Sequence, residues 1–173
     1  IGTIESDEAV EEAAARIYAS VLVAPKQDAF VAMVVGLHVS VESKPYGLLS
    51  GMEQRLEPGK VLIGHLLAKK IHTNIGQEIA LIGQASDGST ANDLYTVQGI
   101  IKCPADLINQ AGIVMALEDA QALFVLEDQA HEIVIRAKTA GESSSIVARL
   151  QTQKTLGHLE ILPWEELVPE LLI

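Results

Sequence analysis

The chain has 173 residues, of which 49% are hydrophobic and 20% are charged, and its formal net charge is −11. So high a hydrophobic content excludes an intrinsically disordered chain. The acidity excludes binding to nucleic acid or anionic lipid, because there is no excess of Lys and Arg to replace the counterions of phosphate groups. Aromatic residues make up only 3%, so sites that stack bases or sugars on rings are not expected either.

The targeting and redox signals are sparse. Cys103 is the only cysteine, which rules out an internal disulfide and leaves the compartment open. No stretch reaches the roughly 18 uncharged apolar residues of a membrane span. The acidic start at Glu5, Asp7 and Glu8 is unlike a signal peptide. We interpret both ends, including the apolar residues 167–173, as cuts through a longer chain.

The first third of the chain predicts one helix and two strands. Ser6 is a suitable N-cap for a helix over residues 6–16, since Asp7 and Glu8 then fall in its first turn and apolar residues recur at helical spacing. A strand over residues 17–24 should follow, closed by a turn at 25–28. The continuously apolar run within residues 30–41 predicts a second strand, covered on both faces.

The middle of the chain follows a break rich in Ser, Gly and Pro at residues 43–59. We predict helices over residues 64–72 and 118–126, and a polar turn at 86–93. The strands predicted here are 60–63, 78–82, 94–102 and 112–117.

The last part predicts a strand, a helix and a returning strand, over residues 132–137, 143–153 and 157–162. The outer segments, 1–42 and 130–163, would thus each supply one helix and two strands. The resulting prediction is an α+β fold in which a mixed sheet carries two helices on one face. Its outer subdomain would comprise residues 1–54 and 129–173, with residues 55–128 inserted as a smaller, strand-rich α+β subdomain.

Signatures of catalysis are missing from the sequence. It contains no GxGxxG, GxxxxGK[ST], GxSxG or HExxH. The segment from Gly47 to Gly51 has the wrong spacing for a nucleophile elbow and is interpreted as a loop. Residues 87–93 are rich in oxygen ligands but lack the closing Glu of a calcium loop, which favours a hairpin tip. Residues 143–145, three serines, are interpreted as a helix start.

The titratable residues also predict no site. His65 and His72 would lie about 10 Å apart along one helix, too far to share a metal easily. His38, His131 and His158 have no carboxylate or cysteine at ligand spacing. Adjacent carboxylates are interpreted as solvated charge; they are Glu118/Asp119, Glu127/Asp128 and Glu165/Glu166. No catalytic, cofactor-binding or metal-binding residue is therefore assigned, and residues that contact a substrate or partner remain unknown.

Four segments in series resemble the FtsX-like permease family, which includes MacB-type efflux and lipoprotein-releasing permeases. They are PGKVLIGHLLA at 58–68, NIGQEIALI at 74–82, YTVQGII at 95–101 and GIVMALEDAQAL at 112–123. Gly51-Met52 is similar to a small element of the family's linker. Gln77 departs from the family's usual Asp, and Leu37-His38-Val39 lacks its common Asp-Pro.

The resemblance implies an extracytoplasmic (periplasmic) domain of a bacterial ABC transporter permease. Such a domain has no active site and no cofactor; a separate cytoplasmic ATPase hydrolyses ATP and drives the motion of the membrane helices. That motion would export or release a hydrophobic cargo, whether lipoprotein, lipid, peptide or drug. The implied partners are the ATPase subunit, a second permease copy or paralogue, and a periplasmic carrier or adaptor protein. The alternative is a free-standing soluble ligand-binding domain, or an α/β enzyme without a recognisable motif.

Overall fold

The computed structural model describes residues 1–25, 28–45, 47–52 and 55–167. Lys26 and Gln27 of the predicted turn, and residues 168–173 of the apolar C-terminal segment, lie outside the described residues. The strands are β1 Val10–Ala24, β2 Phe30–Leu37, β3 Lys60–Gly64, β4 Glu78–Gln84, β5 Thr90–Ile101, β6 Gly112–Ala116 and β7 Glu132–Ala137. The helices are α1 Gly2–Glu5, α2 Val39–Glu42, α3 His65–Lys70, α4 Asp106–Ala111, α5 Leu117–Phe124, α6 Ser143–Gln151 and α7 Trp164–Leu167.

The seven strands form one mixed sheet, which confirms the predicted α+β class. The chain nevertheless divides into two compact units. The barrel unit is Ala14–Glu132, and the terminal unit combines Ile1–Ala13 with Ile133–Ile173. Residues 14–54, which the sequence assigned to the outer subdomain, thus lie in the same compact unit as residues 55–128.

The barrel unit is a closed ring of six strands. Its order is β2-β6-β3-β5-β4-β1, and β1 pairs back onto β2. The β2–β6 and β3–β5 pairs are parallel, and the other four pairs are antiparallel. Closure leaves no free sheet edge along the ring, which protects it from edge-to-edge aggregation.

An approximate two-fold axis relates the two halves of this ring. The elements β1-β2-α2-β3-α3 are followed by β4-β5-α4-β6-α5 in the same order. Two antiparallel pairs join a strand to its own counterpart, with Val23 opposite Leu81 and Leu62 opposite Val114. The parallel pair β2–β6 corresponds to the parallel pair β5–β3.

The same two-fold relation appears in the barrel interior. Each strand points alternate side chains inward, as the two-residue period of a strand requires. Counterparts by register are Val21/Ile79, Val23/Leu81, Ala32/Tyr95, Val34/Val97, Val61/Ile113 and Ile63/Met115. None of these side chains is more than 5% exposed, so both halves contribute the same buried layer.

Helices α3 and α5 complete this core. Ala68 and Ile71, at and just after α3, have the counterparts Ala120 and Leu123 on α5, and all four belong to the core cluster. A second cluster covers part of the outside of the barrel. There Leu37, Leu62 and Val114 pack with Leu49 and with Ile108 of α4.

The terminal unit has a separate, smaller core. In it the first residues of β1 and the strand β7 pack against α6. The Lys138 N–H donates to the Ala9 carbonyl at 2.9 Å, beyond the end of β7. The buried members of this cluster are Ile4, Val10, Ala13, Ile146, Leu150 and Leu156.

Two predicted elements are wrong. Residues 10–16 are strand, not helix, because this segment pairs with other strands: from Arg16 onward it faces β2. Tertiary pairing here overrides the helical spacing of an alanine-rich stretch. Residues 157–162 do not form a strand. The chain turns there instead, with the Leu159 N–H on the Leu156 carbonyl and the Gln151 side chain on the Ile161 carbonyl.

Other predicted boundaries move by a few residues. β2 ends at Leu37 and not at residue 41, because the chain turns into α2. β5 begins at Thr90, which shortens the predicted polar turn. The strand predicted at 17–24 begins earlier, at Val10, and the remaining strand and helix predictions are confirmed to within three residues at each end.

Candidate functional site

A buried ion pair joins two elements of the barrel unit. Glu42, at the end of α2, has a side chain only 2% exposed, and Arg16 of β1 is 11% exposed. Arg16 donates through Nε to Oε1 at 2.5 Å and through a terminal nitrogen to Oε2 at 2.9 Å. The Leu48 N–H also donates to Oε2, at 2.8 Å. The pair therefore anchors α2 and the following loop to β1.

Burial and pairing act in opposite directions on Arg16. Burial opposes its charged form, but the hydrogen bond and charge of Glu42 outweigh burial and raise the pKa of the guanidinium. Arg16 therefore stays protonated and paired with Glu42. A side chain that cannot release its proton is unsuited to acid–base catalysis, so we assign this pair a structural role.

Tyr18, His131 and Glu132 lie beside Arg16 within the barrel unit. The Tyr18 hydroxyl donates to Glu132 Oε2 at 2.7 Å, and the Tyr18 N–H donates to His131 Nδ1 at 3.0 Å. Burial, followed by the hydrogen bond to Glu132, raises the pKa of Tyr18 to about 12. The phenol stays protonated at neutral pH and is a poor general base.

The terminal unit carries an open cleft with a second ion pair. Arg149 of α6 donates to both carboxylate oxygens of Asp7, at 2.7 and 2.9 Å. The cleft's other lining residues include Glu8, Lys138 and Glu142. Lys138 donates to the Glu8 carbonyl at 2.6 Å. The charges of this cleft mostly pair with protein groups, which leaves little to select a small ligand.

Asp7 makes the stability of the terminal unit pH-dependent. Hydrogen bonds from the Arg149 side chain and then the Ala9 N–H lower the pKa of Asp7 from an ordinary 3.8 to about 2. A lowered folded-state pKa means that the contribution is complete above pH ~4 and is lost as pH falls toward 2. We expect the Asp7 carboxyl, followed by NMR, to titrate near 2 and to move toward its ordinary value in Arg149→Met.

Asp87 is the control for that titration. The Ser89 hydroxyl and N–H lower the pKa of this carboxyl independently of Arg149. Its titration should be the same in Arg149→Met and wild type. An Asp7 carboxyl that titrates alike in both proteins would contradict the assigned cause.

The sequence-predicted candidates are scattered. His65 begins α3, whereas His72 lies beyond the helix with a left-handed φ of 53°, so the prediction that the two lie along one helix is wrong. In the described part of the chain, no three His, Cys, Asp or Glu side chains come together as a metal site would require. Residues 47–51 form a loop, and residues 87–89 lie at the β4–β5 hairpin tip, as predicted.

The adjacent carboxylates make local contacts. Asp119 accepts a hydrogen bond from the Gly59 N–H at 2.9 Å. Glu165 accepts one from the Ser143 hydroxyl at 3.0 Å. Glu118 lies 3.6 Å from His38 Nδ1. The bond of Asp119 holds the loop at Gly59 in place, and the bond of Glu165 holds Ser143, the first residue of α6.

One exposed apolar surface stands out on the barrel. We call it the β1–β4 face and define it by Leu22, Ala24, Val31, Ala80, Ile82 and Leu94. Register brings these residues side by side: Leu22 lies opposite both Val31 and Ile82, and Ala80 lies opposite Leu94. Val31 is 69% exposed and Leu94 is 60% exposed. Large adjoining apolar side chains in water are typical of a contact surface.

No protein-family model matches the sequence, and a comparison with curated proteins gives no significant match. The structure, however, is similar to solved domains of ABC transporters. The periplasmic region of MacB from Actinobacillus actinomycetemcomitans matches with a TM-score of 0.62 at 11% identity, over 98% of this chain and 79% of that one. The fold is that of the MacB periplasmic region. Two further structures share this MacB-type fold.

The first of these is the extracellular domain of the noncanonic ABC-type transporter YknZ from Gram-positive bacteria. Its TM-score is 0.61 at 11% identity, over 92% of this chain and 83% of that one. The second is a domain of a permease protein from Porphyromonas gingivalis, with a TM-score of 0.57 at 13% identity, over 92% and 75% of the two chains. The MacB-type fold therefore covers nearly the whole chain. In the described part of this chain, no helix is long and apolar enough to cross a membrane.

Proposed function

We propose that this chain is the extracytoplasmic domain of a bacterial ABC transporter permease. The observation that carries the proposal is the MacB-type fold, shared over 92–98% of the chain with extracellular or periplasmic transporter domains. The serial motifs between residues 58 and 123 support it independently, because they were identified without the structure.

In this proposal the domain performs no chemistry. ATP hydrolysis belongs to a separate cytoplasmic ATPase subunit, and the membrane helices that flank the domain transmit its motion. The domain passes that motion to a hydrophobic cargo (lipoprotein, lipid, peptide or drug) or to a periplasmic carrier or adaptor. The paired charges at Arg16–Glu42 and Asp7–Arg149 support a structural rather than a catalytic use of the polar groups. A second permease copy or paralogue completes the transporter.

The first test is the placement of the domain in the full-length parent protein. Leu107→Cys, in a Cys103→Ser background, puts a thiol where the native side chain is 60% exposed. A membrane-impermeant maleimide should label this thiol in cells whose outer envelope is permeable but whose inner membrane is intact. Ile63→Cys, at a fully buried position, is the matched unlabelled control. Labelling that requires inner-membrane lysis would place the domain in the cytoplasm and refute the proposal.

The second test concerns catalysis. The parent permease, reconstituted with its ATPase, should keep its ATP hydrolysis rate when Glu118 and Asp119 are both replaced by their amides. A rate that falls ~100-fold in this variant would contradict the non-catalytic role assigned to these carboxylates, and a parent chain without membrane helices would favour the alternative of a free-standing protein. In the described structure the cleft of the terminal unit is open and its Asp7–Arg149 ion pair joins two protein groups, so no particular observation favours that alternative.

A further inference from the structure

The β1–β4 face lies on the approximate two-fold axis of the barrel. The axis passes through the Val23–Leu81 pair, whose side chains point inward. Around it, on the outside, register relates Leu22 to Ala80, Ala24 to Ile82, and Val31 to Leu94. The two most exposed residues of the face are thus symmetry counterparts. The surface presents the same apolar pattern twice, once from each half of the barrel.

This face is also almost free of charge. Charged residues make up 20% of the chain, and its net charge is −11. Yet only Glu78 is charged among the residues of the face and the outward-pointing positions next to it on these four strands: Ser20, Leu22, Ala24, Val31, Met33, Glu78, Ala80, Ile82, Gln84, Asn92, Leu94 and Thr96. Two copies of an acidic chain repel one another over most of their surfaces. Through the β1–β4 face, two copies can approach closely while bringing few carboxylates together.

We propose that the β1–β4 face binds the same face of a second copy of this chain. Sheet-on-sheet packing is the ordinary way in which an apolar sheet face is covered. An isologous contact joins the same patch of two copies, and a face that repeats its own apolar pattern presents apolar side chains to a second copy in either of two orientations. The inference does not require the transport role, although it gives the second permease copy of the proposed function a contact surface.

The size of the face predicts a weak complex. Four strands spaced about 4.8 Å apart, over about six residues each, cover roughly 400 Å² per copy. A stable interface buries about 800 Å² per partner. The isolated chain should therefore dimerise with a Kd of roughly hundreds of micromolar. Anchoring two copies in one membrane would raise their effective concentration to about the millimolar range, enough to populate the contact.

Sedimentation equilibrium of the isolated chain up to ~1 mM tests this directly. Wild type should show a reversible monomer–dimer equilibrium, and Val31→Glu and Leu94→Glu should each raise the dimer Kd about tenfold or more. Leu107→Glu is the matched control, because it adds the same charge at a side chain that is also 60% exposed but lies on α4. Circular dichroism melts check that each variant is folded.

Several results would overturn the inference. One is a wild-type chain that stays monomeric at 1 mM; another is a dimer unaffected by Val31→Glu and Leu94→Glu. A third is flotation of monomers with neutral phosphatidylcholine vesicles, lost in Leu94→Glu, which would make the face a lipid contact. An equimolar mixture of Leu94→Lys and Leu94→Glu that associates more tightly than either variant alone would support face-to-face pairing. These outcomes leave the maleimide test of the proposed function unaffected.

Discussion

Replacing Glu42 by alanine is expected to lower the free energy of unfolding by about 3–5 kcal/mol, since it removes the hydrogen-bonded partner of the buried Arg16 guanidinium. Glu132 also lies near Arg16, at 3.7 Å, but its side chain is 44% exposed and cannot replace the buried carboxylate. Arg16 loses both of its hydrogen bonds to the carboxylate, and the Leu48 N–H loses its acceptor. The measurement is urea denaturation of the whole chain, followed by circular dichroism at neutral pH.

An exposed ion pair gives the matched control. Lys60 and Glu57 lie 2.7 Å apart, but their side chains are 37% and 60% exposed. Lys60→Ala should therefore cost only about 0–1 kcal/mol. The double variant Arg16→Met/Glu42→Leu should recover much of the loss, because it removes the buried charge together with its partner. An unfolding free energy for Glu42→Ala that matches Lys60→Ala would show that Glu42 is not desolvated as the structure indicates.

Neither member of this pair was predicted from the sequence. Arg16 and Glu42 are 26 positions apart, and no helical or strand period connects them. The one available signal is that Glu42 follows an apolar stretch with only one other titratable residue, His38, after residue 28. A charged residue at the end of an apolar run indicates that its side chain needs a partner of opposite charge. The sequence does not identify that partner as Arg16, because the pairing of β1 with β2 is what brings Arg16 close to Glu42.

The strands that the sequence located best are short apolar runs bounded by turn residues. The strand predicted at 60–63 is observed as Lys60–Gly64, between the turn at Pro58-Gly59 and α3. Such a run is buried on both faces, so its composition alone identifies it. The prediction for residues 6–16 was wrong, because apolar residues at helical spacing, such as Val10, Ala13 and Ala14, are compatible with a helix and here lie on a strand. There the pairing of β1 decides the structure, and pairing partners are distant in sequence.

The two-fold relation of the barrel was invisible in the sequence for a related reason. Counterparts such as Val34 and Val97 share burial, and in that case identity. Others, such as Ala32 and Tyr95, share burial but differ greatly in size. Interiors tolerate such exchanges when the total volume and the pattern are kept. The repeat is therefore preserved in register and burial, and becomes apparent only when the strand pairs are known.

The symmetry also identifies where the two halves differ, and Gly64 is the sharpest case. Gly64 ends β3, and its counterpart at the end of β6 is Ala116. A Cβ at Gly64 would lie 1.9 Å from the Ile108 carbonyl oxygen and 2.7 Å from that of Asn109, both on α4. Backbone atoms of a packed helix cannot move aside as a flexible side chain can. Only the first half of the barrel thus needs glycine here.

Gly64→Ala is accordingly expected to destabilise the chain by about 3 kcal/mol or more, at the upper end of the range for overpacked sites. Urea denaturation gives the free energy of unfolding. Amide hydrogen exchange should show the earliest loss of protection in α4, which must shift to admit the methyl group. Gly141→Ala is the control: a Cβ there meets no atom within 4 Å, so stability should stay level or rise by up to about 1 kcal/mol. Equal stability of the two variants would mean that α4 does not pack against β3 as closely as the structure indicates.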